Sequence, residues 1–133
     1  MIVVDTSVWV AAFRGDAPIG AELVRLLDED LAALTSPVRL ELLGGSRPSE
    51  LSQLRRVLGA VPSFAPSLDG WKKVETWIEK ATRAGQRFGV LDLLIGATAE
   101  EHRASVWSLD SEFERMAKLR FVKLHRLRRG RRR

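Results

Sequence analysis

Four acidic residues stand at positions where chemistry is as good an explanation as structure. Asp5 ends the run "MIVVD", Glu41 lies inside "VRLELL", Asp92 opens "DLLIGATA", and Asp110 follows "SVWSL". Asp5 and Asp110 each sit where a strand-like segment gives way to a helix-like one. In an open parallel sheet, those positions share the edge where ligands bind. The structural alternative is capping, because Asp is a favoured N-cap and a carboxylate suits the positive end of a helix dipole. Capping accounts for Asp5, Asp92 or Asp110 taken singly. It does not account for Glu41, flanked by Leu40 and Leu42, with Gly44 and Gly45 rather than a cation at the helical i+3 and i+4 positions. A carboxylate beside an apolar helix face needs a cation or hydrogen bonds in compensation. Four converging acids would repel one another, and a divalent cation is the simplest remedy.

The elements that must position these acids read as alternating strands and helices. "IVV" at 2–4 is β-branched and continuously apolar, as a strand covered on both faces should be. "VWVAAF" suits a short helix, and Pro18 begins a second, with Ile19, Leu23, Leu26 and Leu27 at helical spacing. "LAALT" at 31–35 predicts a strand, and "PVRLELLGG" a helix stopped by Gly44 and Gly45. A helix is expected at 49–58 and an extended segment at 61–66. Leu68, Trp71, Val74, Trp77, Ile78 and Ala81 then outline an amphipathic helix to about Gly85, with both tryptophans expected in the core. Residues 93–99 are apolar nearly all round and predict a buried, closely packed helix. "SVWSL" reads as a strand, "SEFERMAKL" as a helix and "RFVKL" as a final strand. This alternation predicts an α/β chain with helices on both faces of a mainly parallel sheet.

Composition bounds the class. The 133 residues match one domain, 45% of them hydrophobic, enough for a substantial core. No apolar run approaches the roughly 20 residues of a membrane span, and no basic segment precedes a signal-like stretch, so a cytosolic protein without membrane contact is expected. With no Cys and two His, a metal here would be held by oxygen, as hard cations are. The net charge of +5 is concentrated at one end: residues 118–133 hold nine Lys and Arg and no acid, leaving 13 basic and 17 acidic residues in 1–117. We expect residues 1–125 to form the domain and 126–133 a flexible basic tail. Its residues Arg126, Arg128, Arg129, Arg131, Arg132 and Arg133 are either solvated or in contact with phosphates.

The motifs "VVDTSVW", "ELLGG", "DLLIGATA" and "SLDSEF" occur in the order and approximate spacing of the PIN-domain ribonucleases. The short length with "DTSVW" near the start resembles the VapC toxins of type II toxin–antitoxin pairs. The resemblance spans residues 1–124 and implies a three-layer α/β/α fold. It implies that Asp5, Glu41, Asp92 and Asp110 form an acidic metal site for Mg²⁺, with Mn²⁺ a plausible substitute. Ser7 matches a hydroxyl position near the first acid, and Ser108 stands where relatives more often carry Thr. Glu112 takes a position where many have a further Asp or Asn. The activity implied is metal-dependent hydrolysis of RNA phosphodiesters leaving a 5′-phosphate and a 3′-hydroxyl. The partners implied are an RNA substrate, a VapB-like antitoxin and a second copy of the chain. His102 is a weaker general-base candidate, at a helix end. A receiver domain would need an acidic pair where Val4 precedes Asp5, and a haloacid-dehalogenase-type phosphatase a second Asp where Ser7 stands. The remaining rival is a PIN fold that binds RNA or protein without cleaving.

Overall fold

A computed structural model describes residues 1–127. Its sheet has four strands: β1 (Ile2–Val4), β2 (Ala32–Thr35), β3 (Ser63–Phe64) and β4 (Ser105–Trp107). They run in the order β3-β2-β1-β4, all pairs parallel, with Val3 opposite both Ala33 and Val106. The helices among the described residues are α1 (Thr6–Phe13), α2 (Ala17–Asp28), α3 (Ser36–Gly44), α4 (Leu51–Gly59), α5 (Leu68–Arg83), α6 (Val90–Glu101) and α7 (Ser111–Lys118). All four residues of β2 are buried, so both faces of the sheet are covered and the fold is the expected three layers. No helix among the described residues is long and apolar enough to cross a membrane.

Local chemistry sets the helix starts. The side chain of Asp16 accepts from the Ile19 amide at 3.2 Å with Pro18 in the first turn of α2, Thr35 accepts from Val38 ahead of α3, and Ser67 accepts from Gly70 at 3.0 Å ahead of α5. α6 is the central helix, buried continuously from Leu93 to Ala99. Gly96 is required there, because a Cβ would lie 3.0 Å from Val122 Cγ1 and 3.3 Å from the Trp77 ring. α5 and the chain after α7 therefore approach α6 closely, and Trp77 stacks on Phe121 with centroids 4.6 Å apart.

Three expectations are corrected. Trp77 is core at 6% exposure, but Trp71 is 50% exposed, beside the buried stripe of α5 that carries Val74, Trp77 and Ala81. "RFVKL" makes no strand: Phe121 and Val122 turn into the core, and pairing is limited to one parallel bridge between Leu124 and Val106. Asp92 is not a helix cap, since Gly89 holds that place and Asp92 lies inside the first turn of α6. In the expected tail, Arg126 forks onto Glu114 at 2.7 and 3.0 Å. Arg128, Arg129, Arg131, Arg132 and Arg133 lie outside the described residues.

The two tryptophans of α5 should separate cleanly in urea unfolding. Truncating the buried ring, Trp77→Ala, should cost about 3–5 kcal/mol. Trp71→Ala should stay within about 0.5 kcal/mol, as exposed substitutions do. Equal losses would contradict the packing described for α5.

Candidate active site

The acids gather at the C-terminal edge of the sheet because β1 and β4 are neighbours and each is followed at once by a helix. Asp5 stands at the N-cap position of α1 but its side chain makes no cap bond. Its Oδ2 instead accepts from Ser7 Oγ at 2.9 Å and from Ser108 Oγ at 2.7 Å, and only 5% of the residue is exposed. The two hydroxyls lie 3.3 Å apart and themselves accept from the Leu109 and Asp110 amides at 3.0 Å. A single network thus ties the end of β1 to the turn after β4, and the Asp5 amide adds a 2.9 Å bond to the Trp107 carbonyl. Serines at both positions are small enough to sit side by side on one oxygen of Asp5.

Three further carboxylates form the tightest cluster. Asp92, Asp110 and Glu112 each bring one oxygen within 4.8 Å of the others. Asp110 caps α7 by accepting from the Glu112 amide at 2.9 Å, so here capping and clustering coexist in one side chain. Glu112 accepts from the Gly89 amide at 3.1 Å, and Arg115 stands 3.7 Å away. Burial first, then a hydrogen bond shared with Glu112 and the charges of Glu112, Asp5 and Asp110, push the Asp92 carboxyl up to about 8. The same bond, aided by the Gly89 amide and Arg115, holds Glu112 below the usual range. The two carboxyls therefore titrate as a pair, with ionisation of Asp92 opposed.

Glu41 is exposed rather than set against a buried face, and accepts from Thr6 Oγ1 at 3.1 Å. Partial burial and the charge of Asp5 raise its carboxyl, against the Thr6 bond. Among the described residues no cation stands within ion-pair range of Asp5, Glu41, Asp92 or Asp110. The donor set is oxygen throughout, which suits a hard divalent cation that keeps part of its water.

Of the residues singled out by sequence, Asp5, Ser7, Asp92, Ser108 and Asp110 come together, and Glu41 flanks them through Thr6. Glu112 belongs to the cluster, as its place two residues after a capping Asp makes unavoidable: in the first helical turn it points back to the same edge. Thr6 and the Gly89 amide carried no sequence signal beyond adjacency to Asp5 and Asp92. His102 lies beyond the far end of α6, stacked on Phe64 at 4.0 Å, with Nδ1 2.9 Å from the Thr98 carbonyl. It takes no part in the cluster.

A PIN domain family model matches residues 2–119. Ribonuclease VapC11 of Mycobacterium tuberculosis is 32% identical over 125 residues, covering 90% of this chain and 93% of that protein, and a VapC ribonuclease of Mycobacterium bovis matches equally. Among solved structures, VapBC2 of Rickettsia felis, bound to a promoter DNA fragment, superposes with a TM-score of 0.78 at 23% identity, over 94% of this chain and 98% of that one. VapBC-1 of nontypeable Haemophilus influenzae gives 0.76 at 19% identity, over 94% and 97%. These likenesses carry the fold.

The raised Asp92 carboxyl has a thermodynamic sign. An unfolded Asp titrates near 3.9, so between about 4 and 8 the folded chain binds more protons than the unfolded one, and stability falls as pH rises. In chelator, the melting temperature should decline up to about pH 8 more steeply for the native sequence than for Asp92→Asn, which should be the more stable of the two at pH 8. Scanning calorimetry across that range checks this, and parallel curves would mean that no proton is shared at the cluster.

Proposed function

The chain belongs to the PIN-domain family, alongside the VapC ribonucleases, and from that premise we propose that it is a metal-dependent endoribonuclease, the toxin of a type II toxin–antitoxin pair acting in the cytoplasm. The observation that carries this reading is the knot of three carboxylates within 4.8 Å, beside a fourth anchored by two serines, with no cation among the described residues within ion-pair range of Asp5, Asp92 or Asp110. Asp5, Asp92 and Asp110 would hold Mg²⁺ or Mn²⁺, with Glu112 and Glu41 contributing directly or through water. When bound, such a cation offsets phosphoryl charge and lowers the pKa of a coordinated water so that hydroxide is available near neutral pH.

The chain's own residues do the rest. Ser7 and Ser108 lock the Asp5 rotamer. The proton shared by Asp92 and Glu112 must leave when cation loads, because ligands bind in their ionised form. Glu41, tethered by Thr6 at the solvent side, is placed to orient water or accept a proton. Arg126 and the arginines after Leu127 would add sequence-independent attraction for RNA phosphates, Arg126 by exchanging Glu114 for phosphate.

Thr6 and Glu41 also line a groove of about 480 Å³ between α1, α3 and α4, whose walls include Val10, Phe13, Leu54 and Val57. An apolar groove that ends at a carboxylate fits a segment of a VapB-like antitoxin carrying a basic residue toward the acids. A homodimer is part of the same reading.

Asp5→Asn should abolish RNA cleavage and growth inhibition while leaving the far-ultraviolet circular dichroism unchanged. Glu41→Gln should slow cleavage at least about tenfold, roughly 1.4 kcal/mol in the barrier. Both are read on purified protein with labelled RNA, with and without Mg²⁺ or Mn²⁺. Cleavage that persists in chelator, or a fully active Asp5→Asn chain, would refute the assignment; a metal-loaded native chain that binds RNA but leaves it whole would identify a non-catalytic module.

A further inference from the structure

α6 and α7, which carry Asp92 and Glu112 in their first turns, each run into an arginine just past their last turn. Arg103 has φ 53° and Arg120 has φ 63°, both in the left-handed region. Glycine normally fills such positions, as Gly15 and Gly85 do elsewhere in this chain, because an L side chain there is strained. A cation near a helix C-terminus is favoured by the dipole, but the last turn of α7 already provides Arg115 and Lys118 without strain. Asp30, just past α2, has φ 56° as well, and α6 has no base in its last turn, so what sets Arg103 and Arg120 apart is where their side chains lie.

Both line one cavity of about 680 Å³, together with Lys123 from the following segment. An adjoining cavity of about 410 Å³ shares Arg120 and adds Lys72 and Lys80 from α5. The acids on these walls are Glu100, which is taken by Lys73, and Asp69. Among the described residues, Lys72, Lys80, Arg103, Arg120 and Lys123 have no carboxylate within ion-pair distance, and all five are exposed. The apolar floor of the larger cavity is closed, with Phe121 and Val122 at 5% and 8% exposure, and the exposed Trp71 and Ile78 of α5 line neither cavity. Cations without apolar contacts suit a phosphodiester backbone.

We propose that Arg103, Arg120, Lys123, Lys72 and Lys80 form a second phosphate-binding surface for RNA, at the end of α6 and α7 opposite the acids. The inference rests on the ribonuclease reading and deepens it. The 12 residues of α6 put about 18 Å between the two ends. The surface would therefore engage a folded RNA that reaches past the cut site, and a tetranucleotide held at the acids would not touch it. It would select for RNA size and shape, without reading bases.

The test uses the full chain with Arg103→Gly and Arg120→Gly together. Glycine relieves the strained backbone, so the melting temperature should not fall. In an Asp5→Asn background, fluorescence anisotropy with a labelled stem–loop should show weaker binding, with the slope of log K against log[salt] shallower by about 1.4–1.8 for two lost contacts. With Asp5 intact, the double variant should cleave the stem–loop more slowly at subsaturating RNA and a tetranucleotide as fast as the native chain. Lys72→Gln with Lys123→Gln, on exposed side chains, should act in the same direction and covers a glycine variant that fails to fold. Unchanged slopes in both variants would overturn the proposal. Unchanged slopes with salt-sensitive loss of antitoxin binding would overturn it in favour of an acidic protein partner. A native chain that cleaves neither RNA would refute the nuclease reading, while the slopes from the Asp5→Asn background would still decide the basic surface.

Discussion

Like charge held at close range is the constraint to which the rest of this fold answers. Asp92, Asp110 and Glu112 keep oxygens within 4.8 Å while Asp5 is buried beside them, and among the described residues the cation in ion-pair range of the cluster is Arg115, 3.7 Å from Glu112. Such a cluster pulls apart unless its supports are stiff. The stiffness comes from a sheet whose second strand is buried on every residue and from a helix buried from Leu93 to Ala99. The parallel register of β1 on β4 then sets Asp5 and Ser108 side by side although they are 103 positions apart in sequence. What repulsion remains is relieved locally by one proton shared between Asp92 and Glu112 and by hydroxyl and amide donors on the others.

The parts legible in sequence were those dictated by short-range rules. Apolar β-branched runs followed by Asp identified β1, and the alternation of elements identified a parallel sheet and its ligand-binding edge. Asp5 and Asp110 followed from that, Glu41 from its lack of a capping role or a helical cation partner, and the grouping of all four with Asp92 from the resemblance to PIN ribonucleases. The misread parts are those where two apolar options compete. α5 carries two stripes, and Trp71 lies on one while Val74, Trp77 and Ala81 lie on the other; only packing against α6 selects between them. "RFVKL" has strand composition, but Phe121 and Val122 are needed to fill the space that Gly96 leaves over α6, so only Leu124 pairs with β4. Glu112 depended on a helix boundary: it joins the cluster because Asp110 caps α7 and the helix begins at Ser111, and helix boundaries are the least certain feature of any sequence.

Glu41 shows how a site and a groove can share a residue. Held by Thr6 at the rim, it is exposed to solvent, and it lies on the wall of the α1–α3–α4 groove. Under the proposed function, a segment seated there would place its charge where a substrate phosphate must come, and the two would exclude each other by occupancy alone. No change of shape is needed for such control. Nor is a separate regulatory site, since Thr6 follows Asp5 directly and the groove opens from the catalytic edge.

The same helix physics also explains why this charge distribution is tolerable. Asp92 and Glu112 occupy first turns, where the positive end of the dipole favours a carboxylate by about 0.3–1 kcal/mol each, and Arg115 and Lys118 occupy the last turn of α7, where a cation is favoured. In α7, acids at the start and bases at the end thus run with the backbone field, whereas α6 ends on Glu100 and Glu101 and its cation, Arg103, follows the last turn. Reversing the arrangement would add dipole repulsion to the mutual repulsion of the acids. A parallel α/β sheet presents several helix starts at one edge, so it gathers acids there at less cost than an antiparallel sheet, whose edge lacks those starts. The separation of charge along the helices follows from that geometry, and it leaves the opposite end of the molecule as the place where cations collect without neutralising the cluster they would otherwise quench.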